Sequence, residues 1–108
     1  MVDARAKGAR REREALALLQ ELIGRELSRN LAQAREGGAD CIDLPGWAIE
    51  VKGSERFLSR WFDQAKMQAK PDELPAVMWK QNRRPWRVFV ELTPEQFAEL
   101  VDWQQEEK

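Results

Sequence analysis

The stretch from Asp40 to Lys52 (Asp-Cys-Ile-Asp-Leu-Pro-Gly-Trp-Ala-Ile-Glu-Val-Lys) constrains the fold more than any other part of the chain. In its second half, Trp47 to Val51 set β-favouring apolar residues against Glu50 and Lys52, so both charged side chains leave the same face of a strand. Leu44-Pro45-Gly46-Trp47 supplies turn chemistry, and the preceding Ala39 to Leu44 is short and β-compatible. A β-hairpin is therefore expected, bringing carboxylates and a lysine to one place. Pleat parity decides which aspartate joins Glu50 and Lys52: a register with an even sum of paired numbers selects Asp40, an odd sum Asp43. The turn length leaves both registers open.

What chemistry such a hairpin can carry is narrowed by absences. The chain has no histidine and no tyrosine, which excludes histidine-based nucleases, Ser-His-Asp hydrolases, zinc sites with imidazole ligands and tyrosine-nucleophile recombinases. Its single cysteine, Cys41, rules out an internal disulfide and a zinc finger, and its place in an apolar strand reads as a buried hydrophobe. Carboxylates and lysine are left, and with hard oxygen ligands the fitting metals are magnesium and manganese. At 108 residues the chain is expected to form one domain, residues 1–108. Neither a membrane span nor a secretory leader is visible, so a cytoplasmic location is expected.

The formal net charge is -1, but it is unevenly spread. Residues 52 to 87 hold nine Lys or Arg against acids at 55, 63, 72 and 73, while residues 91 to 108 hold six acids and only Lys108. The middle of the chain is the part suited to a phosphate backbone.

Residues 1 to 7 are small, polar and basic and are expected to be flexible. From Ala9 to about Arg29 the pattern is helical, with Leu16, Leu19 and Ile23 at helical spacing and Ala15, Leu18 and Leu22 widening the stripe. Glu12 lies four residues before Leu16 and points to that same face, which is unusual for an acid unless the helix end approaches a polar site. Asn30 to Ala34 suits a short strand, and Gly37-Gly38 breaks the chain. A second helical pattern opens at Gly53-Ser54-Glu55, carries Phe57, Leu58, Trp61, Phe62, Ala65 and Ala69, and ends near Lys70-Pro71. Ala76 to Trp79 and Trp86 to Leu92 read as two late strands around the basic loop Lys80 to Pro85. Thr93-Pro94-Glu95-Gln96 caps a final helix, placed over residues 93–108, with Phe97, Leu100 and Val101 on its apolar side. Helix, strands, helix, two strands and helix in that order give an α/β fold with a mixed β-sheet flanked by helices.

Four pieces in this order carry a family resemblance: Lys7-Gly-Ala-Arg-Arg-Glu-Arg-Glu14, Gly38-Ala-Asp40, Ile49-Glu-Val-Lys52 and Trp61-Phe-Asp-Gln-Ala65. Together they resemble the PD-(D/E)XK nuclease superfamily, especially archaeal-type Holliday junction resolvases and small phage nucleases, over roughly residues 7 to 92. The resemblance implies a restriction-endonuclease-like core. It matches Glu12 to the acid of the first helix, Asp40 to the aspartate after a small residue, Glu50 to the second carboxylate and Lys52 to the lysine. It thereby selects Asp40 over Asp43. Gln64 is similar to a polar helix residue that supports the site in some relatives. Ala39 stands where the motif has proline, a position that supplies no ligand atom.

On this reading Asp40 and Glu50 hold a magnesium ion, replaceable by manganese, and the Val51 carbonyl is the third oxygen because it lies between the two side chains. Lys52 orients water or stabilises charge on phosphorus, and Glu12 takes a water-mediated contact. Arg10, Arg11, Arg13, Lys66, Lys80, Arg83, Arg84 and Arg87 are candidates for backbone phosphate contacts. Trp47 and Trp61 belong to apolar faces, and Trp86, beside the basic loop, is the tryptophan placed to meet a base or partner. The expected function is magnesium-dependent endonucleolytic cleavage of branched or structured DNA by a homodimer, since two symmetric incisions need two sites. The competing functions are a single-strand or flap nuclease of the same fold, and a non-catalytic nucleic-acid-binding or assembly protein.

Overall fold

The computed structural model describes residues 4–31, 40, 41 and 43–106. Three helices and three strands follow one another as α1 (Ala4–Ile23), β1 (Trp47–Gly53), α2 (Arg60–Gln68), β2 (Leu74–Lys80), β3 (Arg87–Val90) and α3 (Pro94–Glu106). The strands form one mixed sheet in the order β1-β2-β3. β1 and β2 are parallel, with Glu50 beside Val77 and Lys52 beside Trp79. β2 and β3 are antiparallel, with Met78 beside Val88. A parallel pair needs a long crossover, and α2 provides it.

Pleat parity divides the core in two. Ile49 and Val51 of β1 join Ala76 and Met78 of β2 on the face covered by α1, where Ala15, Leu16, Leu27 and Cys41 complete a buried cluster. The alternate residues face α2, where Val77, Trp61 and Trp79 are buried with Phe57, Leu58, Phe62 and Phe89 around them. Ring centroids of Phe57 and Trp61 lie 5.1 Å apart, edge to face, and those of Phe57 and Phe89 4.6 Å. Such aromatic pairs add about 0.5–1.5 kcal/mol each beyond the area they bury. The Trp79 indole N–H donates to the Ser54 carbonyl at 2.9 Å, so its one polar atom is satisfied.

Several boundaries depart from the sequence reading. Helix α1 starts at Ala4, so residues 4 to 7, expected to be flexible, are helical. It stops at Ile23, before Arg29, because Gly24 at φ 82 leaves the helical region while its N–H still donates to Gln20. α2 begins at Arg60, and Phe57 and Leu58 pack from the preceding loop instead. No ladder joins Ala39–Leu44 to β1 among the described residues. Cys41 makes only an isolated antiparallel bridge, with Arg29. β2 takes one edge of β1 and Asp40 lies along the other, its N–H donating to the Ile49 carbonyl, while Ala39 and Ile42 of the expected hairpin strand lie outside the described residues. Residues 32 to 39, including most of the expected Asn30–Ala34 strand, and Ile42 lie outside the described residues.

The last helix forms where its capping sequence predicts. Thr93 Oγ1 accepts from the Gln96 N–H at 3.1 Å, and the Gln96 side-chain oxygen accepts from the Thr93 N–H at 2.9 Å. Its packing differs from expectation, since no residue of α3 is buried. Trp86 also differs: it packs against the α1-side core. The most exposed described tryptophan is Trp103.

Candidate functional site

The carboxyl-terminal half of β1 places the charged residues. Parity puts Glu50 and Lys52 on the α2 side of the sheet, and Lys52 Nζ lies 3.7 Å from Glu50 Oε2. Asp40 is fixed against the outer edge of the same strand. Its N–H donates to the Ile49 carbonyl at 2.9 Å, and its Oδ2 accepts from the Val51 N–H at 2.6 Å. Main-chain groups of one strand residue point to one side, so the Val51 carbonyl also turns to the edge that Asp40 occupies. Asp40 and Glu50 are each 4% exposed.

This arrangement bypasses the parity question. A main-chain pairing of Asp40 with Ile49 has an odd sum, which in a regular hairpin would have turned Asp40 away from Glu50. Here one oxygen of the Asp40 carboxylate takes the position a strand carbonyl would hold opposite Val51. The carboxylate therefore lies along the strand edge, close enough to act on Glu50.

Asp43 serves elsewhere. Its Oδ1 accepts from the Ser28 N–H at 2.7 Å, its carbonyl accepts from Arg25, and the Ser28 hydrogen bond holds its carboxyl below the usual value. It fastens the segment after α1. Cys41 is buried, and burial raises its thiol pKa, consistent with an inert core residue.

Glu12 enters from α1 through an ion pair, Glu12 Oε2 to Arg29 Nε at 3.0 Å. Arg29 in turn bridges Cys41, the neighbour of Asp40. The helix acid, the segment carrying Asp40 and the edge of β1 are thus linked in one chain of contacts. The electrostatic outcome is concentrated on Glu50, whose pKa is raised from 4.5 to about 7. Burial is the largest cause, the Asp40 carboxylate the next, and Glu12 adds to both; the Lys52 ammonium opposes them.

Two buried carboxylates that repel one another, with a carbonyl turned to the same edge, form a set of hard oxygen donors that fits magnesium or manganese. Among the described residues no three His, Cys, Asp or Glu side chains converge as a metal-binding group.

The basic residues divide by position. Gly53 pairs with Lys80, so both parallel strands end on the same side of the molecule as Lys52. Arg11 lies across that end: a Cβ on Gly53 would stand 3.1 Å from Arg11 Nε. Arg11 also bonds Glu14 at 3.3 Å, while its Nε is buried without a hydrogen-bond partner. Lys80 bonds the Arg84 carbonyl, and Arg83 and Arg84 are exposed in the loop beyond. The carboxyl ends of parallel strands are where open α/β sheets take ligands.

The remaining expected contacts lie apart from this end. Lys66 pairs with Glu91 near the start of β2, at the opposite end of the sheet. Arg87 stacks on the Trp79 ring at 4.4 Å and bonds Gln81, so it braces the aromatic core. Arg10, 3.9 Å from Glu14, and Arg13 are exposed on α1, and Gln64 is exposed on α2. Two residues escaped the sequence reading. Nothing local marks Arg29 as the partner of Glu12, whereas a glycine directly after Glu50-Val51-Lys52 does signal close approach of another group.

Compared with known proteins, the chain matches no family model, no curated protein and no solved structure. No helix among the described residues is long and apolar enough to cross a membrane.

Proposed function

We propose that this chain is a magnesium-dependent DNA endonuclease of the PD-(D/E)XK type, acting as a homodimer on branched or structured DNA. The observation that carries the reading is the meeting of Asp40, Glu50 and Lys52 at the carboxyl-terminal half of β1, with Glu12 approaching from α1. The order of elements, acid on a helix, aspartate on an edge segment, then Glu-X-Lys on a strand, supports it further.

The residues divide the work by position. Asp40 and Glu50, with the Val51 carbonyl, would hold the divalent ion, and Lys52 places a cation beside Glu50 where a phosphate oxygen can meet it. A bound divalent ion supplies Lewis-acid polarisation of the phosphate and a lowered pKa for water. Arg11 and the Lys80–Arg84 loop bring positive charge to the same end of the sheet, suited to holding the backbone without reading sequence. Preference for a four-way junction over a flap or a single strand belongs to this proposal.

One observation favours a non-catalytic role: an Asp40 oxygen already accepts from Val51, and no third carboxylate completes a metal group among the described residues. A single experiment separates the readings. Labelled four-way junction, flap, duplex and single-stranded DNA are incubated with protein and either magnesium or chelator. Cleavage that requires magnesium and is lost in Asp40→Asn and Lys52→Met is the expected result. The nuclease reading is abandoned if wild type and Asp40→Asn behave alike on every substrate.

A further inference from the structure

Helix α3 is amphipathic, yet none of its residues is buried and much of its apolar side stays exposed among the described residues. Phe97, Leu100 and Trp103 recur every three residues along one side, and Phe97 and Trp103 are 58% and 56% exposed. Glu95, Glu99, Asp102 and Glu106 occupy another side, and α3 contains no basic residue. An isolated 13-residue helix is marginal in water. A helix of this length with such a stripe calls for a partner.

The same chain carries an open apolar floor. α1 covers the sheet only over β1 and part of β2, which leaves Val88 and Val90 of β3 exposed on that face, Val88 at 54%. Beside them runs a groove of about 250 Å³ whose walls are apolar throughout, among them Leu19, Ile23, Trp47, Met78, Val88 and Val90. A second depression shares Trp47 and Val90 with it and reaches Leu100 of α3, so floor and helix belong to one continuous surface. The exposed parts of Ile23, Val88, Val90, Phe97, Leu100 and Trp103 amount to apolar surface on the order of 600 Å² per copy, the upper end of what monomers tolerate as a patch. Ile23, Val88 and Val90 already belong to the groove, so the sum stands at the low end of the roughly 600–1,000 Å² per partner of stable interfaces.

We propose that this face docks a second copy of the chain, α3 of each copy lying in the groove of the other about a two-fold axis. A second copy is the occupant because the chain presents both halves of the contact, and one rotation covers both apolar surfaces at once. The contact gives a surface to the homodimer of the proposed function and rests on that reading, while it uses none of the residues assigned to the metal.

The test is the mass of the full chain in solution, by light scattering and sedimentation from 1 to 100 µM. Wild type should be a dimer at the upper concentrations. Phe97→Glu on the helix and Val88→Glu on the floor should each weaken the dimer at least tenfold while leaving the far-ultraviolet circular dichroism unchanged. Mixed in equal amounts, the two variants should regain a heterodimer, because one helix and one floor remain intact. A wild-type monomer at 100 µM overturns the proposal, as does a dimer that neither variant weakens. Mixing that restores nothing overturns the exchange of helices. A monomer that still cuts DNA would sink the docking surface and the homodimer together and leave the nuclease chemistry standing.

Discussion

Replacing Glu50 by glutamine keeps the side chain's shape and removes its ionisation, so the variant isolates the electrostatic burden of the site. Glu50 is 4% exposed and its pKa in the folded chain is about 7 against an ordinary 4.5. A raised carboxyl pKa means the fold prefers the protonated acid. Below pH 4.5 both folded and unfolded chains hold the proton and nothing is lost. Between 4.5 and about 7 the unfolded chain releases it while the folded chain retains it, so stability falls as pH rises; above about 7 the loss is complete. The two values differ by an amount worth roughly 3 kcal/mol, which relaxation around the ionised group lowers to about 2 kcal/mol. Urea denaturation followed by tryptophan fluorescence, with chelator present, is run at intervals from pH 4 to 8.5. The gap between Glu50→Gln and wild type should be smallest near pH 4 and widen in the variant's favour by about 2 kcal/mol at pH 8, or roughly 8–15 °C in Tm for a domain of this size. Asp40→Asn should flatten wild-type behaviour, because Asp40 is the second cause of the raised value. A gap that is constant across the range, or that closes as pH rises, refutes the reasoning.

Two further outcomes follow from local geometry. Thr93→Ala removes the cap hydrogen bond at the start of α3 and should weaken that helix by about 1 kcal/mol; at concentrations where the chain is monomeric, amide exchange should accelerate within α3 while the urea midpoint stays put, and a shifted midpoint would show that α3 is coupled to the core. Gly53→Ala places a methyl 3.1 Å from Arg11 Nε, the movable part of a long side chain. The Arg11 side chain should yield, leaving stability within about 1 kcal/mol of wild type, and a loss above roughly 2 kcal/mol in urea would show that it cannot move.

The local chemistry of this chain is readable and its long-range pairing is not. The Thr93–Gln96 capping box, the strand over Trp47 to Val51 and the aromatic side of α2 each depend on residues a few positions apart, and each appears in the structure, although burial along β1 does not alternate because helices cover both of its faces. What alternation cannot specify is a neighbour. It gives Glu50 and Lys52 one face but does not say which edge of β1 goes to β2 beyond the crossover and which to the Asp40 segment before it. The sequence contains strand, helix, strand over residues 47 to 80, a pattern that favours parallel pairing, yet the nearer turn at Pro45-Gly46 pointed to the hairpin. The α3 stripe was legible as apolar, and its exposure was not, because spacing shows which side is apolar and not what covers it. Glu12 shows the same limit: its position on the core-facing side marks it as unusual, while Arg29, its partner, lies 17 residues away.

The seat of Asp40 also bears on how the folded chain avoids its own kind. A strand edge with free main-chain donors invites the strand of another molecule to add to the sheet. At Val51 that donor is occupied by a carboxylate, and a negatively charged plug on an edge is one that an incoming backbone cannot easily displace. The aspartate proposed as a metal ligand would therefore double as a guard against stacking. Removing the whole group in Asp40→Ala would uncover the edge, whereas Asp40→Asn keeps an oxygen in place, so an inactive alanine variant that precipitates and an inactive asparagine variant that stays dispersed would be reporting two separate duties of one side chain.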